Sequence, residues 1–126
     1  MFGKRILVVE DDPSMRKVLQ ARLKSEGYDA AAAPDAITAF SDIRKQPPDL
    51  ILLDLGLPGG GGLNLMQKLQ SMPKFEMIPI IVLSARERGG IEGEVIDGGA
   101  AAFFQKPTAP EVLLAKIREL LGEPQR

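Results

Sequence analysis

The sequence contains no cysteine, no histidine and no tryptophan, and its 126 residues include a single tyrosine. Without cysteine there is no disulfide, no thiolate nucleophile and no cysteine-based zinc site, and without histidine the commonest metal ligand and general base are also missing. Any chemistry has to run on carboxylates, lysines, hydroxyls and the backbone. Sixteen Lys and Arg against seventeen Asp and Glu leave a net charge of −1, so no overall field draws the chain to nucleic acid or to an anionic membrane. Long apolar runs are lacking too: Ile6 to Val9 and Ile80 to Leu83 fall far short of the roughly 18 residues that suggest a membrane span. The start, Met1 to Arg5, leads straight into an apolar run and an acidic cluster, which is wrongly flanked for a secretory signal. A cytoplasmic protein is expected.

What is present, 44% hydrophobic and 26% charged residues, suits one compact domain. Short apolar runs alternate with helical spacing along its whole length. Lys4 to Glu10 reads as a strand buried on both faces, followed by Asp12 as a helix cap, Pro13 at the first helical position, and Met15, Val18, Leu19 and Leu23 on one face until Gly27. A weaker strand covers Tyr28 to Ala32, and Pro34-Asp35 opens a helix whose inner face carries Ala36, Ile37, Phe40 and Ile43. Asp49 to Asp54 is the most strand-like segment. Pro58 and Gly59 to Gly62 then force a loop before Leu63, Met66 and Leu69 resume helical spacing. Further strands are expected at Ile78 to Leu83 and Ala101 to Gln105, with a hesitant helix between them. Thr108-Ala109-Pro110-Glu111 has the spacing of a capping box before the stripe Leu113, Leu114, Ile117, Leu120 and Leu121.

Five strand–helix units in this length imply an α/β fold, a single doubly wound (βα)5 sandwich with a parallel sheet covered by helices on both faces, over residues 1–122, and 123–126 as a tail or the start of a linker. In such sheets the ligand site lies at the carboxyl ends of the strands. That edge collects Glu10, Asp11 and Asp12 after the first strand, Asp54 after the third, Ser84 after the fourth and Lys106 after the fifth. Singly these residues read as a cap, a solvated turn, a strand-end acid or a surface lysine; their convergence from four loops does not. Carboxylates brought together repel and call for a counterion. An all-oxygen donor set favours Mg²⁺, with Mn²⁺ as a substitute, and Lys106 supplies a second positive charge for an incoming phosphoryl group. Asp54 is then the nucleophile that forms an aspartyl phosphate.

The chain resembles a two-component response-regulator receiver domain, of the chemotaxis-regulator type, over residues 4–121. The resemblance rests on Ile6-Leu7-Val8-Val9-Glu10-Asp11-Asp12-Pro13, Asp49-Leu50-Ile51-Leu52-Leu53-Asp54-Leu55-Gly56-Leu57-Pro58, Val82-Leu83-Ser84-Ala85 and Gln105-Lys106-Pro107. It implies a flavodoxin-like sheet of strand order 2-1-3-4-5, and that Asp54 accepts a phosphoryl group from a sensor histidine kinase or phosphotransfer protein. It also implies that Asp11, Asp54 and the Gly56 carbonyl ligate Mg²⁺, with Glu10 holding the metal's waters. By the same resemblance Lys106 pairs with the phosphoryl oxygen before a cis proline bond. Ser84 hydrogen-bonds the phosphate, Phe103 is the switch aromatic, and the face of the fourth helix, fifth strand and fifth helix signals to a downstream effector. The family phosphorylates and dephosphorylates itself without turnover of a substrate, at a rate depending partly on the residues here at Gly56 and Arg86.

Three departures from the family pattern stand out. The loop after Pro58 has four glycines and no capping acid, and it completes neither G-x-G-x-x-G nor a P-loop. Gly89, Gly90 and Gly93 interrupt the fourth helix at about 1 kcal/mol each relative to alanine, so Arg86 to Glu92 is expected to be frayed or irregular. Thr108 stands where an aromatic is common, and reads as the cap of the last helix. Three other readings compete. A haloacid-dehalogenase-like phosphatase wants a second acid two residues after its nucleophile, where Gly56 stands. A flavodoxin-like electron carrier wants flavin-binding aromatics and hydroxyls, and a pseudo-receiver signals without phosphate.

Overall fold

The structure, a computed structural model, describes residues 3–85 and 88–122, with side chains excepted at 60 and 88–92. The expected tail at 123–126 and the position Arg86 lie outside the described residues. Five strands, β1 (Arg5–Val9), β2 (Asp29–Ala33), β3 (Leu50–Asp54), β4 (Ile80–Ser84) and β5 (Ala102–Gln105), alternate with helices α1 (Pro13–Ser25), α2 (Ala36–Lys45), α3 (Gly61–Gln70), α4 (Arg88–Asp97) and α5 (Pro110–Leu121). The strands form one sheet in the order β2-β1-β3-β4-β5, and every neighbouring pair is parallel. This is the expected topology.

Successive side chains of a strand point to opposite faces, and here they sort into two cores. Leu7, Val9, Ile51, Leu53, Ile80, Val82 and Phe103 pack on one face with Ala39, Ile43, Leu65, Met66, Leu69 and Val95 of α2, α3 and α4. Ile6, Val8, Leu50, Leu52, Ile81 and Leu83 pack on the other with Leu23 of α1 and Leu113, Leu114 and Ile117 of α5. All residues of β3 and β4 are buried, which explains their unbroken apolar runs. No described helix is long and apolar enough to cross a membrane.

Two expected helix faces need correction. Val18 is 64% exposed and Ile37 is 85% exposed. At about 100° per residue, Met15, Leu19 and Leu23 define an arc from which Val18 points away, and Ala36, Ala39, Phe40 and Ile43 define one that excludes Ile37. The capping box of the last helix is absent as well. Ala109 is the cap residue and offers no side-chain bond, while the Thr108 hydroxyl donates to the Gln105 carbonyl at 2.8 Å. Asp12 caps α1 as expected, accepting from the amides of Ser14 and Met15.

At α2 the Asp35 carboxylate accepts from the Thr38 amide at 2.7 Å. This bond holds the Asp35 carboxyl below its ordinary 3.8. A depressed value in the folded state stabilises the fold above the unfolded value and loses that contribution as pH falls through the folded one. Asp35→Asn keeps a capping acceptor but cannot ionise. Its melting temperature is therefore expected to approach that of wild type as pH drops below the ordinary carboxylate range, and a gap that stays constant with pH would contradict the assignment.

The glycines of the fourth segment do not abolish its helix. The backbone of α4 is helical from Arg88 through Gly89, Gly90 and Gly93 to Asp97, contrary to the irregular stretch expected there. Val95 is fully buried, and anchoring of this kind overrides local propensity. A Cβ at Gly93 would meet nothing within 4 Å. Gly93→Ala is thus expected to stabilise the protein by about 0.5–1 kcal/mol, read as a higher denaturant midpoint at unchanged m-value.

Candidate functional site

The register of the strands brings their carboxyl ends to one level. Val9 pairs with Leu53 and Asp54 with Leu83, and Ser84 pairs with Gln105, so Glu10, Asp54, Ser84 and Lys106 emerge side by side on the rim. Backbone bonds continue past the strands, from the Glu10 amide to the Ala33 carbonyl at 3.1 Å and from the Lys106 amide to the Ser84 carbonyl at 2.7 Å. These bonds fix the loops at their roots.

Among the described residues, Glu10, Asp54 and Ser84 are the buried polar or charged ones. An ionisable group is rarely fully buried unless paired. Here the Lys106 ammonium lies 2.7 Å from Glu10 Oε1 and 3.4 Å from Asp54 Oδ1. Glu10 Oε2 accepts from the Asp12 amide at 3.2 Å, and Asp54 Oδ1 accepts from the Gly56 amide at 2.9 Å. Asp11 is exposed at the mouth. Burial pushes the Glu10 carboxyl above the ordinary 4.5, the Lys106 and Asp12 hydrogen bonds oppose this, and the Asp54 carboxylate adds to it. For Lys106, burial disfavours the charge, but the Glu10 hydrogen bond and the Asp54 carboxylate outweigh it and leave the pKa above the ordinary 10.5.

Glu10, Asp11 and Asp54 each offer a carboxylate oxygen, and these oxygens all lie within 4.8 Å of one another. The donor set is entirely oxygen, as hard cations prefer. Three carboxylates facing one ammonium leave two negative charges, which one divalent cation balances. The residues therefore fit Mg²⁺, and Mn²⁺ by the same donor chemistry.

The structure thus brings together Glu10, Asp11, Asp54 and Lys106, with Ser84 on the adjacent strand end. Phe103 is buried in the core on the α4 side of the sheet, in register with Val82, two residues before Ser84. The Lys106-Pro107 bond is cis, as the resemblance implied. Two residues escaped the sequence reading. Gly62 is the second residue of α3, and a Cβ there would lie 2.7 Å from the Asp54 carbonyl oxygen and 3.0 Å from the Leu55 Cα. Four consecutive glycines hid the one that is sterically required. Arg16 donates from Nη1 to the Glu10 carbonyl at 2.9 Å, and its only sequence signal is a cation in the first turn of a helix.

The response regulator receiver domain family matches residues 6–118, and the chain belongs to that family. Over 118 residues it is 36% identical to the DNA-binding response regulator MtrA of Mycolicibacterium smegmatis, which spans 94% of this chain and 50% of that protein. Over 119 residues it is 34% identical to the response regulator PleD of Caulobacter vibrioides, 94% of this chain and 26% of that protein. The chain therefore spans from a quarter to a half of the length of these relatives. Among solved structures, the receiver domain of a sensor histidine kinase from Pseudomonas aeruginosa, with a magnesium ion coordinated in its active site cleft, matches with a TM-score of 0.85. It is 29% identical and covers 96% of this chain and 99% of that one. The fold is the flavodoxin-like one of receiver domains, which are signalling modules of two-component systems phosphorylated by histidine kinases.

Proposed function

We propose that this chain is the phosphoacceptor of a two-component relay, taking a phosphoryl group on Asp54 from a sensor histidine kinase or a phosphotransfer protein. The observation that carries the reading is the four-group site: three carboxylates with oxygens within 4.8 Å of one another and one ammonium 2.7 Å from Glu10 and 3.4 Å from Asp54. Asp54 is the nucleophile. One of its carboxylate oxygens attacks phosphorus in line, the new O–P bond forms as the bond to the donor breaks, and the donor leaves with that electron pair. The buried position of Asp54 excludes much of the competing water, and the Gly56 amide orients its Oδ1.

Asp11, Asp54 and the Gly56 carbonyl would hold Mg²⁺ or Mn²⁺, with Glu10 acting through the metal's waters. The ion, when bound, neutralises charge on the transferring group. Lys106 turns from its carboxylate partners toward a phosphoryl oxygen, and Ser84 hydrogen-bonds another. Phe103 follows Ser84, so that the α4, β5 and α5 face presents a different surface to a downstream effector. A shift of this kind extends only as far as the phosphate binds one arrangement better than the other. The chain is then a self-phosphorylating and autodephosphorylating acceptor within residues 1–122, acting in the cytoplasm beside its kinase, and not a turnover enzyme. Gly56, two residues after Asp54, has no acid to offer, which disfavours a phosphatase of the haloacid-dehalogenase type. The test is to incubate the protein with acetyl phosphate and Mg²⁺ and weigh it intact. One added phosphoryl group, lost when EDTA replaces Mg²⁺, is expected; an unchanged mass would overturn the proposal.

A further inference from the structure

Helices α1, α2, α3 and α5 all carry Lys or Arg in the last turn, where the negative end of the helix dipole favours them. Arg16 sits at the opposite end. It is the fourth residue of α1, beside the amides that Asp12 caps, where a cation is disfavoured. Two backbone carbonyls offset this: Nη1 lies 2.9 Å from the Glu10 carbonyl oxygen and 3.5 Å from that of Asp11. Guanidinium is suited to this, because it is planar, always charged and presents several donors in a fixed fork.

The loop from Glu10 to Asp12 must hold two carboxylates close to a third. Glu10 is tied by its amide to Ala33 and by its carboxylate to Lys106 and the Asp12 amide. Asp11 has a side chain at the exposed mouth, and Arg16 reaches its carbonyl. Lys106 meets the acidic groups at their carboxylates, whereas Arg16 meets the loop at its carbonyls and leaves the carboxylate oxygens free for another cation. We infer that Arg16 is a positioning residue of the metal site, pinning the backbone of Glu10 and Asp11 so that their carboxylates converge with that of Asp54. The inference rests on the metal-binding reading above.

Position and charge act in opposite directions here, which gives the test a sign. A nearby positive charge by itself repels Mg²⁺, so removing it tightens binding; loss of a pinned loop loosens binding. Mg²⁺ is titrated by calorimetry into wild type, Arg16→Met and Arg16→Lys, and each metal-free protein is melted in parallel. Arg16→Met is expected to bind Mg²⁺ about tenfold more weakly, the lower range for loss of a group that orients a metal ligand. Its metal-free melting temperature is expected to stay within a few degrees of wild type. Arg16→Lys, which keeps a charge and a donor, is expected to recover most of the lost affinity. Should Arg16→Met not fold, Arg16→Gln carries the same expectation. Unchanged or tighter Mg²⁺ binding in the Met or Gln variant overturns the positioning role, as does a Lys variant that recovers nothing. Failure of wild type itself to bind Mg²⁺ overturns the metal reading and this inference with it.

Discussion

Asp54→Asn is expected to abolish Mg²⁺-dependent phosphorylation while leaving the metal-free fold intact. The amide oxygen can still accept from the Gly56 amide, which now bonds Oδ1 at 2.9 Å. What disappears is the anionic nucleophile and one of the three carboxylates. Their loss has two opposed effects on stability. The attraction to Lys106 at 3.4 Å is removed, but so is repulsion among acidic groups, part of which raises the pKa of Glu10. Because Lys106 keeps its shorter contact with Glu10, 2.7 Å, the balance lies near zero and the melting temperature should move by no more than a few degrees. The metal response should change much more. A ligand at ten times its Kd stabilises by about 1.4 kcal/mol, and most of that increment disappears when a ligating carboxylate is replaced. Intact mass after acetyl phosphate treatment, together with melting curves with and without Mg²⁺, checks both parts. A variant that still gains a phosphoryl group would show that Asp54 is not the acceptor.

The second large effect is expected at Gly62. Alanine in a helix gains about 1 kcal/mol over glycine by propensity alone. At this position the gain is overridden, because the new methyl would stand 2.7 Å from the Asp54 carbonyl oxygen and 3.0 Å from the Leu55 Cα. Both are backbone atoms and cannot rotate aside. Either α3 lifts from the strand end or the turn after β3 shifts, and the turn carries Asp54 with it. Overpacking of this kind costs about 1–3 kcal/mol, so after the helix-propensity gain a net loss of up to about 2 kcal/mol is expected for Gly62→Ala. Misplacement of the nucleophile by a fraction of an ångström should also slow phosphorylation about tenfold. Gly93→Ala serves as the control, since the same exchange on α4 meets open space and changes sign. A stabilised Gly62→Ala with normal phosphorylation would contradict the close-approach argument.

The contrast between these glycines shows what could be read before the structure. Parallel strands buried on both faces leave apolar runs that are hard to mistake, and a charged residue ending such a run marks the sheet edge. That is why the gathering of Glu10, Asp11, Asp54, Ser84 and Lys106 at one edge of the sheet was legible. The 2-1-3-4-5 order followed from the resemblance and from the crossover rule together. Val18 and Ile37 misled because a hydrophobic residue three positions from one partner can lie about a sixth of a turn outside the buried arc. Thr108 misled because spacing does not reveal which residue leaves the helical conformation first, and here it is Ala109. Gly62 and Arg16 stayed hidden because both act on backbone atoms of another element. A sequence names side chains, but it does not print the distance from Gly62 to the Asp54 carbonyl or from Arg16 to that of Glu10.

The most direct measurement of the central claim is to locate the phosphoryl group by residue. Protein treated with acetyl phosphate and Mg²⁺ is reduced with borohydride, which converts an acyl phosphate to the alcohol of its side chain, then digested and sequenced by mass spectrometry. Modification of position 54 alone, dependent on Mg²⁺ or Mn²⁺ and blocked by EDTA, is predicted. Modification at Asp11 or elsewhere, or at Asp54 with no need of a divalent cation, would contradict the account.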